Sequence, residues 1–165
     1  MKSVLASITF SLLLQLSAAS FIGIQSPNFI STKRTSSLNA EEAIAKSVTG
    51  GELEVMLQDW DMPLVLDAYA TWCGPCLLMA PEFEAAAKEL EGKVRFVKMD
   101  TDKEPEMAGR LNINGLPTLL FLSGKEGDDS VGVLRDRIEG ALRKDSIVSI
   151  CDYYFFDGPM PTDIQ

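Results

Sequence analysis

The chain has 165 residues, 46% of them hydrophobic, which is enough for one buried core. It contains no histidine and only three cysteines, Cys73, Cys76 and Cys151. That excludes Cys-His and Ser-His catalysis and a disulfide-stapled secreted module. All 24 acidic side chains lie at or beyond Glu41, against 12 of the 15 basic ones, so residues 41–165 carry a net charge of −12 and repel nucleic-acid phosphates.

Residues 1–20 read MKSVLASITFSLLLQLSAAS: one lysine, an apolar run too short for a comfortable membrane span, then small residues fitting a cleavage site at Ala18-x-Ser20. A signal peptide is the better reading, with an uncleaved anchor as the alternative. Residues 21–40 are rich in Ser and Thr and free of acids, as organellar transit peptides are. The two together, with Phe21 directly after the expected cut, resemble the bipartite presequences of algal plastids. The alternative is a secreted or lumenal protein in which 21–40 is a polar linker. Cleavage near Asn39–Glu41 leaves a domain of about 125 residues.

Residues 42–48 read as a helix or an irregular entry. Thr49 then caps a short helix with Leu53, Met56 and Leu57 at helical spacing. PLVLDAYA (63–70) is a continuous apolar run, the pattern of a strand buried on both faces. Helix formers from Cys76 close at Gly92, with an expected kink at Pro81. VRFVKMD (94–100) is a strand, residues 103–113 a helix, and PTLLFLS (117–123) a strand. Residues 124–132 look turn-rich, 133–140 form the returning strand, and 141–155 form the last helix. The order implies an α/β fold, a mixed sheet with helices on both faces.

The chemistry centres on Trp-Cys-Gly-Pro-Cys at 72–76. A cysteine between a buried strand and a helix start meets orphan N–H groups and the positive end of the helix dipole, which favour a thiolate. Cys73 is therefore the expected nucleophile, and Cys76, one turn on, the resolving thiol. Gly74 and Pro75 form a stiff link between them. Zinc would need two further ligands that a chain without histidine, with only Cys151 left, does not readily supply. A structural disulfide closing so short a loop constrains the unfolded chain little. Asp67 sits in the apolar run, where a carboxylate is costly unless paired or used.

With these residues the stretch from about Val48 to about Ile150 resembles the thioredoxin family, closest in appearance to the plastid y-type group, through VKMDTDKEPEMAGRLNINGLPT and RIEGAL. The resemblance implies a thioredoxin fold over residues 41–151 with an extension at 152–165. It implies a dithiol–disulfide cycle at Cys73 and Cys76, with Asp67 exchanging a proton with Cys76 and Lys98 biasing the local charge. Plainer readings are a hydrogen-bonded Asp67 without a catalytic part and a solvated Lys98. The resemblance makes Pro117 a cis proline and assigns client docking to Trp72, Gly115, Leu116, Pro117 and Gly140; for Trp72, core packing is the other reading.

No metal and no cofactor are implied. The expected partners are disulfide-containing clients of the peroxiredoxin or methionine sulfoxide reductase type and a thioredoxin reductase, ferredoxin-dependent if the address is plastid. A monomer free of nucleic acid and of stable membrane association follows. Secretory oxidase or isomerase chemistry, or a non-enzymatic thioredoxin-like subunit, are the competing readings, although Gly-Pro between the cysteines favours a reductant. Ala68 stands where the family usually has Phe, so Tyr69 or Phe96 is expected to fill the core, and Glu126, Asp128 and Asp129 suggest an enlarged hairpin turn. Cys151 reads as a buried inert thiol, with a regulatory thiol as the alternative.

Overall fold

The computed structural model describes residues 43–58, 60–125 and 128–162, with side chains left aside at 125–131, and these residues belong to one compact unit spanning 39–165. The expected signal peptide (1–20) and transit-like segment (21–40) lie outside the described residues.

The chain enters through a two-residue strand, β1 (Lys46–Ser47). Nothing in 42–48 has the length to display a strand period; the strand exists because it pairs in parallel with the later segment Val97–Lys98. Thr49 then caps α1 (Gly50–Gln58) with a reciprocal box: the Glu52 carboxylate accepts from the Thr49 amide at 2.7 Å, and the Glu52 amide donates to the Thr49 hydroxyl at 3.2 Å. The Thr49 amide and hydroxyl, both donating to it, hold the Glu52 carboxyl below its usual range.

The apolar run forms β2 (Leu64–Tyr69), and α2 (Gly74–Glu89) follows with Pro81 inside it. The helix continues through Pro81, whose ring nitrogen leaves the Leu77 carbonyl without its usual donor. Gly92, at φ 76°, turns the chain into β3 (Arg95–Asp100). The next helix, α3 (Pro105–Arg110), is shorter than the expected 103–113 because Asn112 adopts φ 53°. The Asn112 amide reaches the Gly109 carbonyl (3.0 Å) and the Ile113 amide the Ala108 carbonyl (2.9 Å), a Schellman closure with asparagine in the left-handed position.

The last strands are β4 (Thr118–Lys125) and β5 (Asp128–Glu139), followed by α4 (Lys144–Phe155). The turn-rich reading of 124–132 is corrected: strand pairing extends to Lys125 and resumes at Asp128, and register shifts at Phe121/Leu122 and Gly124/Lys125 absorb the irregularity. Gly132 accepts the Trp60 ring against its backbone; a Cβ there would lie 2.7 Å from the ring.

Strand order is β1-β3-β2-β4-β5, with β1, β3 and β2 parallel and β4 and β5 antiparallel. Strand alternation gives each face its own core. Val65, Phe96, Leu119 and Phe121 meet α2 and α4 through Met79, Phe83, Ile147 and Ile150. Leu64, Leu66, Val97, Met99, Leu120 and Leu122 meet α1 and α3 through Leu53, Met107 and Ala108.

This parity corrects one expectation. Ala68 points to the second face, opposite Met99 and Thr118 in register, whereas Tyr69 and Phe96 belong to the first. Met99, fully buried, shares its face with Ala68, while Phe96 packs edge-to-face on Phe83 with centroids 5.1 Å apart.

Helix α4 runs four residues past Cys151 and brings Tyr154 and Phe155 onto the first core. Burial, with the Asp136 charge of β5 nearby, raises the Tyr154 phenol above its usual range. Cys151 is fully buried, and desolvation raises its thiol far above the usual range.

Candidate redox site

The cysteines sit where β2 hands over to α2. Cys73 is the N-cap of α2, in extended conformation, with Pro75 in the first turn. Cys73 and Cys76 are joined by a disulfide, and the Cys76 amide donates to the Cys73 sulfur at 3.2 Å. Both residues are almost fully buried, at 4% and 3% exposure. An attacking or leaving sulfur at Cys73 therefore faces a backbone N–H and the positive end of a sixteen-residue helix.

Beside the disulfide opens a cleft of about 420 Å³. Trp72, Cys73, Gly74 and Pro75 form one wall, and Thr101 with residues Ile113–Leu116 forms the other. The Leu116–Pro117 bond is cis. The Pro117 carbonyl accepts from the amide of Gly140 at 2.8 Å, and Gly140 adopts φ 106°, a region that favours glycine. Gly115 offers its carbonyl to the Thr118 hydroxyl at 2.8 Å.

Trp72 is 70% exposed, so the core-packing reading is ruled out. Its indole N–H donates to the Asp102 carboxylate at 2.7 Å. Asp102 had no signal in the sequence beyond lying in a polar turn. The turn is held by the buried Asp100, which accepts from the Asp102 amide (3.2 Å) and pairs with Lys103 (3.1 Å).

The far wall is anchored from behind. Arg137 of β5 donates to the carbonyls of Leu111 and Asn112, the latter at 2.7 Å, which ties the end of α3 to the edge strand.

Asp67 and Lys98 do not line the cleft. They are register partners on β2 and β3, so both side chains fall on the α2 face. Asp67 is 2% exposed, and its Oδ1 has no hydrogen-bond partner. Burial pushes its carboxyl up to about 7, with Lys98 pulling the other way. The reading of Asp67 as merely satisfied by a hydrogen bond fits this orphaned oxygen poorly. Lys98 is half-buried and lies 3.9 Å from Glu84, so it is not simply solvated.

Among the described residues no group of three or more His, Cys, Asp or Glu could hold a metal ion, and no helix is long and apolar enough to cross a membrane.

The thioredoxin family model matches residues 44–151. The chain belongs to the thioredoxin family. It is 43% identical over 114 residues to a chloroplastic thioredoxin-like protein CITRX of Oryza sativa subsp. indica, an overlap covering 68% of this chain and 58% of that protein. It is 41% identical over 105 residues to thioredoxin Y2, chloroplastic, of Arabidopsis thaliana, covering 63% and 58%. The chain thus spans about three fifths of the length of these relatives. Among solved structures, chloroplastic thioredoxin z superposes with a TM-score of 0.58 at 38% identity, covering 66% of this chain and 92% of that one. The Trx4 domain of ERdj5 superposes with a TM-score of 0.63 at 24% identity, covering 69% and 97%, a likeness of fold.

Proposed function

We propose that this thioredoxin is a plastid protein-disulfide reductase. The observation that carries the reading is the Cys73–Cys76 disulfide at the start of α2, beside an open cleft, with Asp67 buried on the α2 face of β2 and its Oδ1 without a partner. In the reduced protein the Cys73 thiolate attacks one sulfur of a client disulfide, forming a mixed disulfide and expelling the other client sulfur as a thiolate. Cys76 gives its proton to the Asp67 carboxylate and attacks the Cys73 sulfur. The second client thiolate leaves, two electrons have passed to the client, and Cys73–Cys76 is oxidised. A carboxyl titrating near 7 can accept that proton at neutral pH and return it later.

Trp72, Gly115, Leu116, Pro117 and Gly140 form the client-docking surface, with the Leu116 backbone offered to an extended client strand. Lys98 biases Asp67. The domain proper is assigned to 41–151, the remainder to an extension, and residues 1–20 and 21–40 to the signal and transit segments. The protein acts as a monomer. Its clients are of the peroxiredoxin or methionine sulfoxide reductase type, and a ferredoxin-dependent thioredoxin reductase regenerates it. Support for the plastid comes from relatives named as chloroplastic, with CITRX and y-type members at similar identity.

The purified chain is expected to accelerate dithiothreitol-driven insulin reduction, and Cys73→Ser to abolish the acceleration. An inert wild type, or a Cys73→Ser variant as fast as wild type, rules the reductase out. Cys76→Ser should trap clients as mixed disulfides. A fluorescent fusion of residues 1–45 should reach the plastid; retention in the ER would favour the secretory reading.

A further inference from the structure

A second cavity, about 450 Å³, lies between α2 and the chain entering β1, lined in part by Ile44, Pro81, Glu84, Lys88 and Lys98. Two of these residues lead from the cavity to the buried acid. Lys98 is the register partner of Asp67 and acts on its carboxyl. Its ammonium also lies 3.9 Å from the Glu84 carboxylate.

Glu84 is not free to swing away. Its carboxylate accepts from the amide of Ile44 and from that of Ala45 at 3.3 Å, so the entering chain fixes it against α2. The same residue therefore joins the start of the domain, the cavity and the cation next to Asp67.

Among the described residues, Lys98 is the charged group that acts on Asp67, and the others on this side of the sheet are placed by their elements. β3 contributes Lys98, and then Asp100, which is paired with Lys103. α2 carries Cys76 in its first turn and places Glu84 and Lys88 at the cavity. β4 places Leu119 opposite, and α4 adds Ile147, Ile150 and Cys151 to the core of this face. Tyr69 follows two residues along β2, and β1 sets Ser47 against Lys98. An ammonium paired with a carboxylate presents a dipole to Asp67, whereas an unpaired ammonium presents a full charge.

We propose that Glu84 is a positioning residue for the thiol–disulfide cycle: by holding the Lys98 ammonium at the cavity it limits the pull of Lys98 on Asp67. This sets the pH at which that carboxyl exchanges a proton with Cys76. The inference rests on the reading of Asp67 as the proton partner of Cys76. Glu84 moves no proton itself; the Cys76 S–H bond breaks, the proton goes to an Asp67 oxygen, and the thiolate pair forms the bond to the Cys73 sulfur.

The test follows the Asp67 carboxyl by ¹³C NMR titration in the oxidised full-length chain, with no client or reductant present, so it is independent of whether insulin reduction succeeds. Glu84→Gln keeps an oxygen for the Ile44 and Ala45 amides but loses the charge. It should lower the Asp67 midpoint by about half a pH unit, and Lys98→Met should raise it. In the Lys98→Met background, adding Glu84→Gln should move the midpoint by less than about 0.2 unit.

A Glu84→Gln midpoint within about 0.2 unit of wild type overturns the proposal, and so does a shift undiminished in the Lys98→Met background, which would mean Glu84 acts without Lys98. Should Glu84→Gln not fold, Glu84→Asp, which withdraws the carboxylate, is expected to give a smaller downward shift. No shift, or an upward one, overturns the proposal equally.

Discussion

The two faces of the sheet are built from the same strands yet do different work. Under α1 and α3 the strands present Leu64, Leu66, Val97, Met99, Leu120 and Leu122, an apolar layer. Under α2 and α4 the same strands present Val65, Phe96, Leu119 and Phe121, with Asp67 and Lys98 set among them. One face is apolar throughout; the other gives up stability to hold a buried carboxyl whose Oδ1 has no partner. Adjacent residues on β2, Leu66 and Asp67, fall on opposite sides of this division, so they test it most directly.

Leu66→Ala should cost about 2–5 kcal/mol by urea unfolding, with little change between pH 4 and 8, because only packing is lost. Asp67→Asn should do the reverse. The folded carboxyl titrates near 7 against an ordinary value of 3.8, so the native state holds its proton longer than the unfolded chain does. Stability tied to this group is complete below about pH 4 and is lost as pH rises through 7. The asparagine variant should match wild type near pH 4 and exceed it by up to about 4 kcal/mol at pH 8, while reducing insulin more slowly. Equal stabilities at pH 8 would mean that Asp67 is not desolvated as described. The smallest effect is expected at the far end of the packing face. Gly132→Val drives a side chain into the Trp60 ring and should cost about 1–3 kcal/mol in the same assay, with no effect on the insulin rate at temperatures where the variant is folded.

What could be read from the sequence was whatever broke a local pattern. Asp67 stood out as an acid in an apolar run, the cysteine pair as a spaced motif, and Gly140 and Pro117 through resemblance to a family. Glu84 gave no such signal, because it is one of several glutamates on a helix, and its role arises from Lys98 and the Ile44 and Ala45 amides brought in from elsewhere. The β1 strand leaves no mark in the sequence because two residues carry no period; pairing with β3 creates it. The mistaken assignment of Phe96 as filler for Ala68 has a geometric cause. Deciding which residues of β3 share a face with those of β2 needs the register, and a shift of one residue reverses every answer. In the hairpin, Gly124 and Gly132 suggested a broad turn, yet both lie within the ladder, opposite one another.

The Arg137 clasp has a consequence for how this domain can vary. It fastens the two carbonyls just past α3, next to the loop that walls the cleft, to a point on β5 only two residues before Glu139, while both register shifts lie farther along the hairpin. The hairpin thus has a fastened end, at the clasp, and an elastic end, at the tip. Residues can be inserted, removed or recharged at the tip, as the acidic stretch there illustrates, and the ladder takes up the difference before it reaches the clasp. The geometry of the cleft wall is insulated from the irregular part of the sheet.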